Sequence, residues 1–168
     1  MTRSTLDDWN DRYRNRESLD DTPARLLLEA ASSLPPGRAL DLACGPGRNA
    51  KWLSARGWEV VALDGAEEAI RLVPEGIDAR VFDLEAGAAL PFEDESFDLV
   101  LILFYLYRPL FAEAKRVLRK GGILVAAART SGRFGVARGE LRTFFEEDCE
   151  VLIDRAEDVA ELIARRRV

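Results

Sequence analysis

The segment Ala39-Leu40-Asp41-Leu42-Ala43-Cys44-Gly45-Pro46-Gly47-Arg48-Asn49 constrains this chain more than any other stretch. A short apolar run carries an acid, Asp41, breaks at Gly45 and Gly47, and reopens as a helix through Ala50, Trp52 and Leu53. A strand, a tight turn and a helix start in so few residues form the opening of a βα unit. Glycine is needed there because a β-carbon would stand between the backbone and a closely approaching ligand. About 20 residues on, Trp58-Glu59-Val60-Val61-Ala62-Leu63 ends in a second acid, Asp64, the distance at which a nucleotide-binding βαβ unit places its ribose-binding carboxylate.

Two nucleotide classes fit this layout. A dinucleotide fingerprint, G-x-G-x-x-G, would put its third small residue at Ala50, an accepted variant. Asp41 argues against it. A carboxylate beside the loop repels a pyrophosphate and suits a ligand with an ammonium or sulfonium group.

Asp41-x-Ala43-x-Gly45-x-Gly47 resembles motif I of the class I S-adenosylmethionine-dependent methyltransferases, written (D/E)-x-G-x-G-x-G, with Ala43 in place of the first glycine. Three later segments resemble the same family in order: residues 77–84, its third strand, residues 96–103, its fourth, and residues 114–124, a helix, a Gly-Gly turn and its fifth strand. The resemblance covers residues 38–128. It implies a Rossmann-like open α/β sheet, mostly parallel with an antiparallel C-terminal strand and helices on both faces. It also implies S-adenosylmethionine as cofactor, with Asp41, Gly45 and Gly47 facing the methionine part, Asp64 the ribose, Asp83 and Leu84 the adenine and Phe104 beside the methyl group, and with Ala43, Asn49 and Gly65 also in the cofactor site. The N-terminal Trp9-Asn10-Asp11-Arg12-Tyr13 is similar to a Trp-x-x-x-Tyr element of the tellurite-resistance and thiopurine methyltransferase branch, which implies that Trp9 and Tyr13 close over the cofactor.

Composition sets bounds. The chain has 168 residues, of which 48% are hydrophobic and 32% charged, enough for one domain with a proper core. We expect a single domain over 1–168, with a covering segment at 1–21 and the Rossmann-like core at 22–168. The N-terminus is too polar for a signal peptide, and no apolar run reaches the roughly 20 residues that span a bilayer. Two cysteines and no histidine make no disulfide framework and no zinc or iron site, and point to a reducing cytoplasm. A net charge of −6 disfavours nucleic-acid binding. Arg165, Arg166 and Arg167 read as a solvated chain end. The expected partner is a small-molecule substrate, with neither nucleic acid nor membrane, and the oligomeric state is open.

The coarse reading starts a helix at Thr22, as N-cap, with Pro23 in its first turn. It places strands at 38–43, 59–63, 79–82, 97–103 and 123–128, with helices at 49–56, 67–73 and 108–118, and Asn49 also reads as a candidate cap of the first of these helices. Residues 140–146 read as a short helix and 150–154 as a strand. Composition alone makes residues 159–166 a helix, whereas the resemblance implies a final antiparallel strand, which we adopt.

After the fourth strand, Phe104-Tyr105-Leu106-Tyr107-Arg108 would face the transferable methyl group, making Tyr105, Tyr107 and Arg108 candidate substrate residues. With no histidine to serve as general base, the sequence favours a small acceptor that is soft or already ionised. Two alternatives stand beside this methyltransferase: a dinucleotide-binding oxidoreductase and a catalytically silent cofactor-binding module.

Overall fold

The computed structural model describes residues 3–16, 19–87, 89–132 and 135–168. Its elements follow the order α1 (Arg3–Arg14), α2 (Arg25–Ala31), β1 (Arg38–Leu42), α3 (Arg48–Ser54), β2 (Glu59–Asp64), α4 (Glu67–Ile70), β3 (Asp78–Val81), β4 (Phe97–Leu103), α5 (Leu110–Val117), β5 (Leu118–Arg129), α6 (Glu140–Thr143), β6 (Cys149–Ala156) and β7 (Val159–Arg166). One seven-stranded sheet has the order β3-β2-β1-β4-β5-β7-β6. Strands β1 to β5 run parallel, and β7 lies antiparallel between β5 and β6.

Two apolar clusters sandwich the sheet. Leu40, Leu42, Val100, Ile102, Leu124 and Ala126 face one way, with Phe111 and Val117 of α5 and Leu141 of α6. Ala39, Leu99, Leu101, Leu103, Val125 and Ala127 face the other, with α2 and α3. Burial on both faces is why β4 and β5 read as near-continuous apolar runs.

The C-terminal strand implied by the resemblance is present. Residues 159–166 are rich in helix formers (Ala, Glu, Leu and Arg). Their period-2 pattern nevertheless sends Ala160, Leu162 and Ala164 into one cluster and Ile163 into the other. Tertiary burial here overrides local propensity.

Three local expectations need correction. Helix α2 begins at Arg25, and its N-cap is Ala24 with no side-chain cap; Thr22 instead gives its N–H to the Asp20 carboxylate at 2.9 Å. Asn49 does not cap α3, whose N-cap is Gly47. It lies buried and accepts the Ala24 N–H at 2.9 Å, tying the start of α2 to the first turn of α3. Arg166 is no free chain end. Its guanidinium donates to the carbonyls of Lys115 and Leu118, satisfying groups that the end of α5 leaves open.

Ala43 holds the left-handed backbone, φ +58°, where the family motif has glycine. For a residue with a β-carbon this costs roughly 1–2 kcal/mol, partly offset by the greater entropy that glycine loses on folding, about 0.4–1 kcal/mol. Ala43→Gly is therefore expected to raise stability by about 0.5–1 kcal/mol, or ~1–4 °C in Tm. Thermal unfolding without ligand checks this, and an unchanged or lowered Tm would contradict it.

Candidate active site

The sheet order reverses between β1 and β4, and ligands of open α/β sheets bind outside the carboxyl ends of the strands at such a point. A cleft of about 540 Å³ opens there, within the size range of small-ligand sites. Loops after β1, β2, β3 and β4 supply its floor, and α1 supplies one wall.

Most residues singled out from the sequence meet in this cleft. Ala43, Gly45 and Asn49 come from the first loop, Asp64 and Gly65 from the end of β2, and Asp83 and Leu84 from beyond β3. Phe104 and Tyr105 follow β4, and Trp9 and Tyr13 reach in from α1. The aromatic pair on α1 is stacked, with ring centroids 5.7 Å apart.

Tyr107 and Arg108 do not line the cleft. Tyr107 packs against the core cluster on the α5 face, and Arg108 forms an ion pair with Glu140 at 2.6 Å. Of the two tyrosines after β4, Tyr105 lines the cleft and Tyr107 does not, because the chain has already turned towards α5. The Tyr105 hydroxyl donates to Glu85 at 2.8 Å, which joins the segments that follow β3 and β4. Gly47 is also outside the lining. Its φ of +86° makes the turn into α3, and a β-carbon there would press on Val73 at 3.2 Å.

Asp41 lies beneath the loop, not in its wall. The strand alternation puts it on the α3 side of β1, where it is 1% exposed and its Oδ2 has no hydrogen-bond partner. Burial, reinforced by the nearby Asp64 charge, pushes its carboxyl up to about 7. Asp64 is not a free strand-end carboxylate. Its Oδ2 accepts the Gly45 N–H and its Oδ1 the Ala66 N–H, both at 2.8 Å, so it clamps the glycine loop to the start of α4. Burial also raises Asp64, against the pull of those two amides. Cys44, buried between these acids, has its thiol pushed up by burial and by both carboxylates, the opposite of an activated nucleophile.

Sequence reasoning missed Leu6, Leu19, Asp20, Cys44, Pro46, Arg48 and Leu103 of the lining. Leu6 had a readable signature, since Leu6, Trp9 and Tyr13 share one face of a helix at i, i+3 and i+7. Asp20 had none, because only the path of the chain between α1 and α2 brings it there. Arg48 contributes the one basic side chain among the described lining residues, and it is paired with Asp20 at 3.0 Å.

The buried acid carries a pH signature. Folded Asp41 keeps its proton up to about pH 7, whereas the unfolded carboxyl releases it near 4, so its contribution to stability falls as pH rises between those values. Asp41→Asn keeps the shape and removes the charge. We expect its effect on stability to be more favourable at pH 8 than at pH 5, by on the order of 2 kcal/mol. Denaturant unfolding at both pH values tests this, and an equal effect at both would refute it.

A glycine turn at the switch point, carboxylates on β1, at the end of β2 and after β3, and aromatic walls together make a Rossmann-like α/β protein with a cleft of small-ligand size. The methyltransferase domain family matches residues 40–126, just over half of the sequence, and the chain belongs to it. The demethylmenaquinone methyltransferase of Renibacterium salmoninarum is 34% identical over 119 residues, covering 68% of this chain and 50% of that protein. The chain spans about half the length of the curated relatives it matches. The TehB structure from Haemophilus influenzae superposes with a TM-score of 0.78 at 21% identity, covering 94% of this chain and 67% of that one. A TehB-like S-adenosylmethionine-dependent methyltransferase from Corynebacterium glutamicum gives a TM-score of 0.72 at 20% identity, over 99% of this chain and 100% of that one. At those identities the two structures speak for the fold, which is the class I methyltransferase fold.

Proposed function

We propose that the protein transfers a methyl group from S-adenosylmethionine to a small-molecule acceptor. The carrying observation is the buried Asp41, with its Oδ2 unpartnered, beside Asp64 under a left-handed glycine loop. A neighbouring cation would let Asp41 ionise beside Asp64, and a pyrophosphate would oppose it, so a ligand with an ammonium and a sulfonium group suits the site better than a dinucleotide.

On this reading the Gly45 loop, with Asp41 below it, faces the methionine part. The Asp64 side receives the ribose, and Asp83 with Leu84 the adenine. Tyr105, through Glu85, belongs to the adenine end and not to the acceptor. When bound, S-adenosylmethionine supplies a methyl group on a sulfonium leaving group, which carries the reactivity. The chain supplies alignment, and positioning accounts for roughly 7–11 kcal/mol of barrier in favourable cases. Trp9, Tyr13 and Phe104 exclude water from the reacting centre. The Tyr13 and Tyr105 hydroxyls are raised by burial and by neighbouring acids, so neither is a ready base at neutral pH. This supports an acceptor atom that ionises without help, such as a thiol.

S-Adenosylhomocysteine at about 100 times its dissociation constant is expected to stabilise the protein by roughly 2.7 kcal/mol, a Tm shift of about 5–10 °C. A clear shift with NAD and none with S-adenosylhomocysteine would overturn the proposal. Labelled-cofactor turnover against thiols and phenols then separates an enzyme from a silent binding module.

A further inference from the structure

A second cavity of about 370 Å³ adjoins the cleft. The two share Asp20, Arg48, Leu103 and Phe104, so a ligand in one borders a ligand in the other. Its remaining walls come from the segment that opens α2, from Ala127 of β5 and from Glu161 of β7. Pro23, Ala24, Leu26, Leu103 and Ala127 make its surface largely apolar.

Phe104, common to both cavities, has the Arg48 guanidinium 5.9 Å from its ring centroid yet is 50% exposed, although it directly follows the buried strand β4. Its backbone sits at φ +60°, a strained conformation for a bulky residue, and is fixed by its N–H donating to the Ala127 carbonyl at 2.7 Å. Strain kept on an exposed aromatic holds a ring where a ligand can use it. The charges around this cavity are already matched: Arg48 pairs with Asp20 at 3.0 Å, and Arg25 with Glu161 at 3.3 Å. Glu161 is paired a second time, with Arg155 at 2.6 Å, so a charged ligand finds no unmatched partner among these groups and a neutral one needs none.

We infer that this second cavity is the methyl-acceptor site, and that it takes a small, planar aromatic molecule seated against Phe104, one that enters neutral and ionises unaided at its acceptor atom, as an aromatic thiol does. The inference rests on the methyltransferase reading above. It names the acceptor's class and the wall that selects it: an apolar floor for the ring, Phe104 as the platform and paired charges that discriminate against ions. Aromatic rings prefer offset or edge-to-face contact with such a platform, which a saturated ring of equal size lacks.

The test uses the full chain saturated with S-adenosylhomocysteine and ligand-observed NMR with 2-naphthol, cyclohexanol and butyrate as probes. 2-Naphthol is expected to bind best. Thr22→Trp fills the second cavity from an exposed position outside the cofactor cleft. It should abolish 2-naphthol binding while changing S-adenosylhomocysteine affinity less than about twofold, within ~0.4 kcal/mol. Phe104→Leu keeps apolar bulk and removes the ring plane, and should weaken 2-naphthol about tenfold. Undiminished 2-naphthol binding to either variant overturns the inference, as does binding of cyclohexanol or butyrate as tight as that of 2-naphthol. Failure of every probe to bind a protein that does bind S-adenosylhomocysteine also overturns it and leaves the cofactor reading standing. If S-adenosylhomocysteine itself does not bind, both fall.

Discussion

Gly45→Val is expected to weaken S-adenosylhomocysteine binding by at least about 100-fold, or ~2.8 kcal/mol. Three effects converge on this residue. Its φ of +55° lies where a β-branched side chain is most strained. A β-carbon placed on it would stand 3.1 Å from the Tyr13 hydroxyl, inside the cleft between the loop and α1. Its N–H is also the group that Asp64 grips at 2.8 Å, so a shifted loop loses its clamp as well. Gly76 provides the control. It has φ +89° with nothing within 4 Å of a modest side chain's first carbon, and it does not line the cleft. Gly76→Val should therefore lose stability to backbone strain and keep its affinity. Calorimetric titration of both variants separates strain from obstruction. If Gly45→Val bound the ligand within a few-fold of the parent chain, the loop would not be the contact surface proposed.

The sequence displayed the site's frame because that frame is local. The turn at Gly45 and Gly47 and the acid before it lie in one short stretch, and the acid that ends β2 follows in the very next strand. β4 was legible to its boundaries, Phe97–Leu103, because burial on both faces leaves no ambiguity of period. What stayed hidden depends on distant pairing. Asn49 looks like a helix cap until α2 is seen to need a partner for the Ala24 N–H. Asp64 looks like a ribose acceptor alone until two backbone amides are found on its oxygens. The C-terminal strand β7 could be chosen only through the family resemblance, since its composition favours a helix. Tyr107 and Arg108 were misplaced for the opposite reason: proximity to β4 in sequence was taken for proximity in space, across a turn that redirects the chain.

Removing residues 1–16 is expected to leave a folded protein that binds S-adenosylhomocysteine at least tenfold more weakly, a loss of about 1.4 kcal/mol or more, with turnover close to zero. Among the described residues, neither apolar cluster flanking the sheet draws on α1. What α1 does contact is the site. Leu6 packs on Gly65, where a β-carbon would lie 2.7 Å from its side chain, and Trp9 and Tyr13 line the cleft. Its attachments to α4 are polar and reversible: the Asn10 side chain accepts the Glu68 N–H at 2.9 Å, and Arg14 pairs with Glu68 at 3.3 Å. Exposed pairs of that kind contribute roughly 0–1 kcal/mol. A helix held by weak polar links and aimed at the ligand by its apolar face has the properties of a cover that settles over an occupied cleft and keeps water out. The competing role is a docking helix that seals the sheet. That role predicts a large fall in Tm without ligand, whereas a cover predicts a ligand-free Tm close to that of the full chain. Asn10→Ala combined with Arg14→Ala cuts the links without deleting the aromatic face, and should weaken binding less than the truncation does. A truncated chain that stays folded and binds S-adenosylhomocysteine as tightly as the parent would rule out the cover.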